Sequence, residues 1–258
     1  MHGQGTEKRL TMRYFVDSNN LVFDLGMNNG EDTEYYLKKG YRVVAVEANP
    51  ELCDQTHHRF AEDIHRERLV IVHGAIWHSC GQKTFFVNLD NDHWSSLDIG
   101  WAGRDASRVK KVDVDCVTLA HLFALYGVPR YLKIDVEGVD DLVLKQLMDL
   151  AYVPRYVSVE DCRFGFDYMA MLNQIGYGGF KLLDQSTVPG LLDDSVAHIF
   201  KEGASGPLGE DISGEWVDYE RILQIYSTTV RDLKGIRLAP MTQWYDIHAA
   251  CLDKKRII

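Results

Sequence analysis

Cationic charge is in short supply in this chain. Its 258 residues carry 28 Lys and Arg against 38 Asp and Glu, a net charge of −10. Phosphate backbones are held by clustered basic side chains, so no nucleic-acid partner is expected. The basic runs present, Lys8-Arg9, Lys38-Lys39, Lys110-Lys111 and Lys254-Lys255-Arg256, are short and scattered and read as solvated surface. Cysteine is sparse as well: residues 53, 80, 116, 162 and 251, an odd number without a Cys-x-x-Cys pair. Neither a zinc centre nor a disulfide framework follows, and a reducing, cytoplasmic compartment is the default. No apolar run approaches the ~18 residues of a membrane span, so no membrane partner is expected. Residues 1–12 are polar, lack a signal-peptide core and read as a flexible N-terminal extension.

Also missing is Gly-x-Gly-x-x-Gly, the pattern that lets bare backbone approach a dinucleotide pyrophosphate. In the corresponding place stands Leu21-Val-Phe-Asp-Leu-Gly-Met-Asn-Asn-Gly30, an Asp-x-Gly-x-x-x-Gly pattern. Three apolar residues run into Asp24. Gly26 and Gly30 then lead into the acidic Glu31-Asp-Thr-Glu34. This reads as a buried strand, a turn and a helix start. A second strand, Arg42-Val-Val-Ala-Val-Glu47, completes a βαβ unit with an acid 23 positions after Asp24. Acids at a helix start suit its dipole but oppose a pyrophosphate. A cationic amino-acid nucleoside fits better, with an acid for its amino group and Glu47 for two ribose hydroxyls. S-adenosylmethionine has that shape.

The stretches VFDLGMNNGEDT, AVEANPE and LKIDVEG resemble the motifs of the FkbM family of S-adenosylmethionine-dependent methyltransferases, over roughly residues 20 to 200. The resemblance implies a class I methyltransferase fold: an α/β, Rossmann-like, mostly parallel seven-stranded sheet with helices on both faces. The expected organisation is a methyltransferase domain over 13–200, with 201–258 a lid and substrate extension of the same domain. Strands are expected at 69–75, 84–87, 112–117, 130–134 and 155–159, then a closing antiparallel pair, Phe180–Asp184 with Val196–Phe200. Asn49 and Thr118 are read as helix N-caps.

Ligands of an open parallel sheet lie beyond the carboxyl ends of its strands. The cofactor is therefore expected against Asp24, Gly26, Asn28, Gly30 and Thr33 of the first loop, with Asp24 ordering the glycines. Glu47, Ala48 and Asn49 follow the second strand, and Ala75 and Ile76 supply an apolar wall where the family places the adenine. Ser95 and Ser96, in a long polar loop, resemble a serine stretch that the family turns toward the cofactor. Asp135 is the first candidate for general base, with His93 and His248 next because both fall in expected substrate-facing segments. If neighbouring strands bring Asp135, Glu160 and Asp161 together, their all-oxygen set suits Mg2+ or another hard divalent cation. The resemblance implies O-methylation of a small-molecule or glycan hydroxyl. Trp94, Trp101, Trp216, Trp244 and Tyr245 fall outside the expected central strands and are read as acceptor contacts or, Trp216 above all, as core beneath the lid. A catalytically silent cofactor-binding module and an NAD-dependent oxidoreductase are the rival readings, and a homodimer is left open.

Overall fold

The computed structural model describes residues 13–258, so the expected extension at 1–12 lies outside the described residues. Seven segments make one sheet: Leu21–Leu25 (β1), Arg42–Glu47 (β2), Leu69–His73 (β3), Tyr131–Ile134 (β4), Tyr156–Glu160 (β5), Gly179–Asp184 (β6) and Tyr245–Ala250 (β7). Their order is β3-β2-β1-β4-β5-β7-β6, and β7 alone is antiparallel to its neighbours. All five residues of β1 are buried, which a strand achieves only when both faces are covered.

Six helices supply most of that cover: Glu31–Lys38 (α1), Pro50–Arg59 (α2), Leu119–Tyr126 (α3), Asp140–Met148 (α4), Gly165–Ile175 (α5) and Tyr219–Thr229 (α6). On one face Phe23, Leu25, Val44, Leu132 and Val157 pack against apolar residues of α3 to α6. On the other, Val22, Val43, Tyr131 and Tyr156 meet Tyr35 and Tyr36 of α1 together with Val188, Phe200 and Leu208. The alternation along β1 therefore turns Asp24 toward α1. Asn49 caps α2 by accepting from Glu51 N at 3.1 Å, and Thr118 caps α3 by accepting from His121 N at 3.1 Å, as their positions predict. A separate three-stranded sheet of Ala75–Ile76, Gly81–Asn88 and Val109–Val117 stands beside β3.

The closing pair differs from expectation. Within Val196–Phe200 only His198–Ile199 is paired, and only with Leu192–Asp193. The place beside β6 belongs to Tyr245–Ala250, every residue of which is buried. Tyr245, Ile247 and Ala249 join the core of one face at a period of two. Asp246 and His248 point the other way and disguise the segment as a polar, aromatic tail. The sheet is thus completed by residue 250, between strands that precede residue 200 by sequence.

Candidate active site

β1 and β4 are neighbours whose chains leave in opposite directions, so a crevice opens beyond their carboxyl ends. At its floor the loop after β1 crosses the loop after β4. Gly26 has φ +84°, and a Cβ there would lie 1.7 Å from the Asp135 carbonyl oxygen; only glycine allows that crossing. Gly26 N and Met27 N both donate to Val46 O at 3.0 Å. The Glu47 carboxylate then ties two loops, accepting from Asn28 N at 2.8 Å and from Asn49 N at 2.7 Å. Burial pushes the Glu47 carboxyl up to about 7 despite those amides.

The resulting cleft encloses about 600 Å3, open mouth included, and is lined by Gly26, Asn28, Glu47, Ala48, Ala75, Ile76, Phe85, His93, Ser95, Leu97, Asp135 and Glu137, among others. It has three chemical zones. Glu47 and its amides lie along the middle. Ala75, Ile76, Phe85 and Leu97 make an apolar wall, and Asp135 and Glu137 make an acidic end.

Of the residues expected at the cofactor, Gly26, Asn28, Glu47, Ala48, Ala75, Ile76 and Ser95 meet in this cleft. The others support it from behind. Asp24, fully buried, accepts from Thr33 Oγ1 at 2.7 Å. Gly30 faces the Phe60 ring, which a Cβ would approach to 2.6 Å. Asn49 is occupied as the cap of α2. Ser96 donates to the Glu137 carbonyl at 2.6 Å and accepts from Asp98 N at 2.9 Å, pinning the loop rather than facing a ligand.

Asp135 and His93 line the cleft, but His248 does not. It sits mid-strand between Ser158 and Lys181, is 1% exposed, and among the described residues neither ring nitrogen has a hydrogen-bond partner. Burial, helped by Lys181, pushes the imidazole down to about 3. A neutral side chain walled into the sheet cannot exchange protons with an acceptor, so His248 leaves the catalytic set. Asp161 leaves the metal set: its carboxylate accepts from Tyr226 Oη at 2.7 Å and from Arg231 Nε at 3.2 Å, facing α6.

Glu137 takes that place. One carboxylate oxygen from each of Asp135, Glu137 and Glu160 lies within 4.8 Å of the others. Glu137 has φ +52°, a conformation costly for a non-glycine residue. Its Oε2 accepts from Trp101 Nε1 at 2.5 Å and from the Arg104 guanidinium at 3.3 Å. Burial and the nearby Asp135 charge push it up to about 8, and the same two causes raise Glu160 well above the usual carboxylate range. Arg104 lies between the Trp94 and Trp101 rings, at 4.4 and 4.3 Å, while Arg163 covers Trp101 at 4.6 Å. Both indoles are already stacked on guanidinium groups, and Trp101 also holds Glu137. Trp216 packs with Lys181 and Glu210, away from the cleft lining.

Sequence reasoning missed the central cation. Lys133, within the buried β4, has its ammonium 3.4 Å from Asp24, 3.2 Å from Asp32 and 3.3 Å from Asp135, with its side chain 5% exposed. It also donates to Gly26 O at 3.2 Å. A lone charge inside the apolar run Tyr131-Leu-Lys-Ile134 was the available signal, since such a group is buried only when paired.

The methyltransferase FkbM domain matches residues 24–182, more than half of the chain. The chain belongs to the FkbM methyltransferase family. Membership makes it a methyltransferase and implies S-adenosylmethionine as methyl donor. No curated protein sequence matches the chain. Similar solved structures include a precorrin-6y C5,15-methyltransferase from Geobacter metallireducens, 9% identical over 93% of this chain and 83% of that one, TM-score 0.40. An FkbM methyltransferase from Methylobacillus flagellatus is 16% identical over 69% of this chain and 42% of that one, TM-score 0.39. The methyltransferase domain of bacterial CtHen1 is 10% identical over 90% of each, TM-score 0.39.

The FkbM cleft suits that donor by the chemistry of its lining: carboxylates for a cation, the Glu47 carboxylate as a hydroxyl acceptor, and an apolar wall. The acids also set a pH dependence. Glu47 at about 7 and Glu137 at about 8 lie above their unfolded values near 4.5. Stability from such raised groups is complete below the unfolded pKa and is lost as pH rises through the folded one. His248 opposes this only below about pH 6.5, the ordinary imidazole value, because above it the ring is neutral in both states. The chelated, cofactor-free protein is therefore expected to lose stability from pH 6.5 to 8.5, read as a falling melting temperature. A flat or rising profile over that window contradicts the assignment.

Proposed function

We propose that this FkbM protein transfers the methyl group of S-adenosylmethionine to a hydroxyl oxygen on a small molecule or glycan. The observation that carries the reading is the acidic end of the cleft, where Asp135, Glu137 and Glu160 converge beside a bare-backbone loop. Bound S-adenosylmethionine supplies an electrophilic methyl carbon, so the chain's own residues have two tasks. The first is alignment, which supplies much of the rate of an in-line displacement. Gly26 and Asn28, Glu47, and the Ala75–Ile76 wall would hold the donor. The second is to take the acceptor's hydroxyl proton, a step typically worth about 10²- to 10⁴-fold. Asp135 is the residue proposed for it, with His93, which also lines the cleft, as an alternative acceptor of that proton.

A hard divalent cation would be held by Asp135, Glu137 and Glu160, where it would acidify a bound hydroxyl. Burial first, and then the neighbouring Asp135 charge, drive Glu137 and Glu160 up, and the repulsive share of that shift favours a cation. Exhaustive chelation is accordingly expected to abolish turnover and added Mg2+ to restore it; full activity in chelator removes the ion from the reaction.

The activity itself is tested by methyl transfer from labelled cofactor into a panel of sugars and hydroxylated metabolites. Cofactor binding by calorimetry with no transfer to any hydroxyl would favour the silent module instead. Glu47→Ala is expected to weaken cofactor affinity by about 1–3 kcal/mol, the loss of a charged hydrogen-bond partner. Glu47→Gln keeps an acceptor oxygen for one of the two amides and separates ribose binding from loop support. Unchanged affinity in both variants would take Glu47 off the ribose. Among the described residues no helix is long and apolar enough to cross a membrane.

A further inference from the structure

The segment between α6 and β7 is anchored at its base and apolar at its surface. Its start is buried, with Val230 at 0% and Arg231 at 8% exposure, and Arg231 is held by Asp161. Within it, Asp232 N donates to Ile236 O at 2.8 Å and Leu238 N to Val230 O at 2.8 Å. Asp232 Oδ1 accepts from Lys234 N at 2.9 Å and Ile236 N at 2.8 Å. Trp244 Nε1 donates to Gln185 at 2.7 Å. Yet Leu233 is 84%, Ile236 60%, Leu238 49% and Met241 86% exposed. A loop anchored at its base and braced by these bonds, yet turning leucine, isoleucine and methionine outward, is suited to an apolar medium.

We propose that residues 232–244 seat the protein on an anionic lipid surface. Charge selects this occupant. On a chain of net −10, the segment carries Lys234 and Arg237 against a single acid, Asp232, whose Oδ1 is taken up by amides. A locally basic, apolar loop on an acidic protein is drawn to anionic headgroups where the rest of the surface is repelled. A second copy is a poorer fit, because a stable dimer needs roughly 800 Å2 from each partner and this patch is a few side chains on one loop. Position gives the contact its purpose. β7 begins beside the ends of β5 and β6, Asp246 opposite Glu160, so the loop borders the edge on which the cleft opens. Resting on the proposed function, the acceptor hydroxyl would then be one displayed by a lipid. This departs from the composition-based expectation of no membrane partner.

The test is co-sedimentation of the full chain with vesicles of phosphatidylcholine containing 30% phosphatidylglycerol. Wild type is expected to sediment with them and to be released by salt. Leu233→Ser with Met241→Ser is expected to lower the partition coefficient about tenfold or more, given the value of each buried apolar side chain. S-adenosylhomocysteine titration of the same variant should be unchanged; this reports folding and cofactor binding independently of the surface. Failure of wild type to sediment, or equal sedimentation of the variant, overturns the proposal. So does a wild-type dimer that the variant converts to monomer. Sedimentation with no methyl transfer would sink the proposed function and leave the lipid contact standing.

Discussion

Lys133→Met is expected to cost about 3–5 kcal/mol of stability, the range seen when one partner of a buried ion pair is removed. For a chain of this size that lowers the melting temperature by about 6–20 °C. The ammonium touches Asp24, Asp32 and Asp135 within 3.4 Å, and burial otherwise leaves those acids without a counter-charge. Asp24 shows the balance: burial, foremost, and Asp32 push its carboxyl up to about 6 although Lys133 pulls it down. Without the lysine, Asp24 takes up a proton more readily in the folded state. A carboxyl whose folded pKa is raised stabilises at low pH and loses that contribution as pH rises. The deficit of Lys133→Met should therefore be larger at pH 8 than at pH 5. In the double variant with Asp24→Asn, the combined loss should fall well short of the sum, since the two sites are in contact. A wild-type melting temperature in Lys133→Met, or strict additivity, would show that the acids find another counter-charge.

That arrangement explains how one edge of the sheet tolerates so many acids. Asp24, Asp32 and Asp135 share a resident cation. Glu137 leans on Arg104, Asp161 on Arg231, and Asp140 on the amides of Val136 and Gly138. Among the described residues, the Glu160 carboxylate has only the Cys162 thiol, donating at 3.3 Å. The charge left uncompensated thus lies at the acidic end of the cleft, where an incoming cation would meet it.

The first βαβ unit was legible because its physics is local: an apolar strand, a positive-φ glycine turn, acids at a helix start and a second apolar strand. Part of the cleft was legible for the same reason: Gly26, Asn28, Glu47, Ala48, Ala75 and Ile76 line it close to strand ends, whereas Ser95, which also lines it, was expected there only from the family resemblance. What sequence could not supply was pairing over long separations. Tyr245–Ala250 inserts between β5 and β6 although it follows β6 by some sixty residues, and its buried Asp246 and His248 mask its alternation. That one misplacement moved His248 from the interior to an imagined loop. Asp140 ties the turn after β4 by accepting from the Val136 and Gly138 amides, which leaves Glu137 to face the cleft. Trp101 and Arg104 reach Glu137 from more than thirty residues away, which no local pattern reveals.

Asp135→Asn is expected to reduce turnover by about 10²- to 10⁴-fold, the usual worth of a positioned proton acceptor, while leaving cofactor affinity within a few-fold. The separation rests on geometry. Asp135 meets the glycine loop through its backbone carbonyl, which the substitution retains, and its side chain faces Lys133 and the acidic end. Asparagine keeps the shape and one acceptor oxygen but cannot take the acceptor's proton or offer a negative ligand to a cation. Single-turnover measurement with saturating donor isolates the chemical step from binding. Glu137→Gln and Glu160→Gln then distinguish how the cluster works. If the three carboxylates hold one ion, all three variants should lose turnover and need more Mg2+ for what remains. If Asp135 acts alone as base, its variant should fall far below the other two and none should respond to Mg2+. Wild-type turnover in Asp135→Asn would remove this residue from the reaction and leave His93 as the remaining proton acceptor proposed in the cleft.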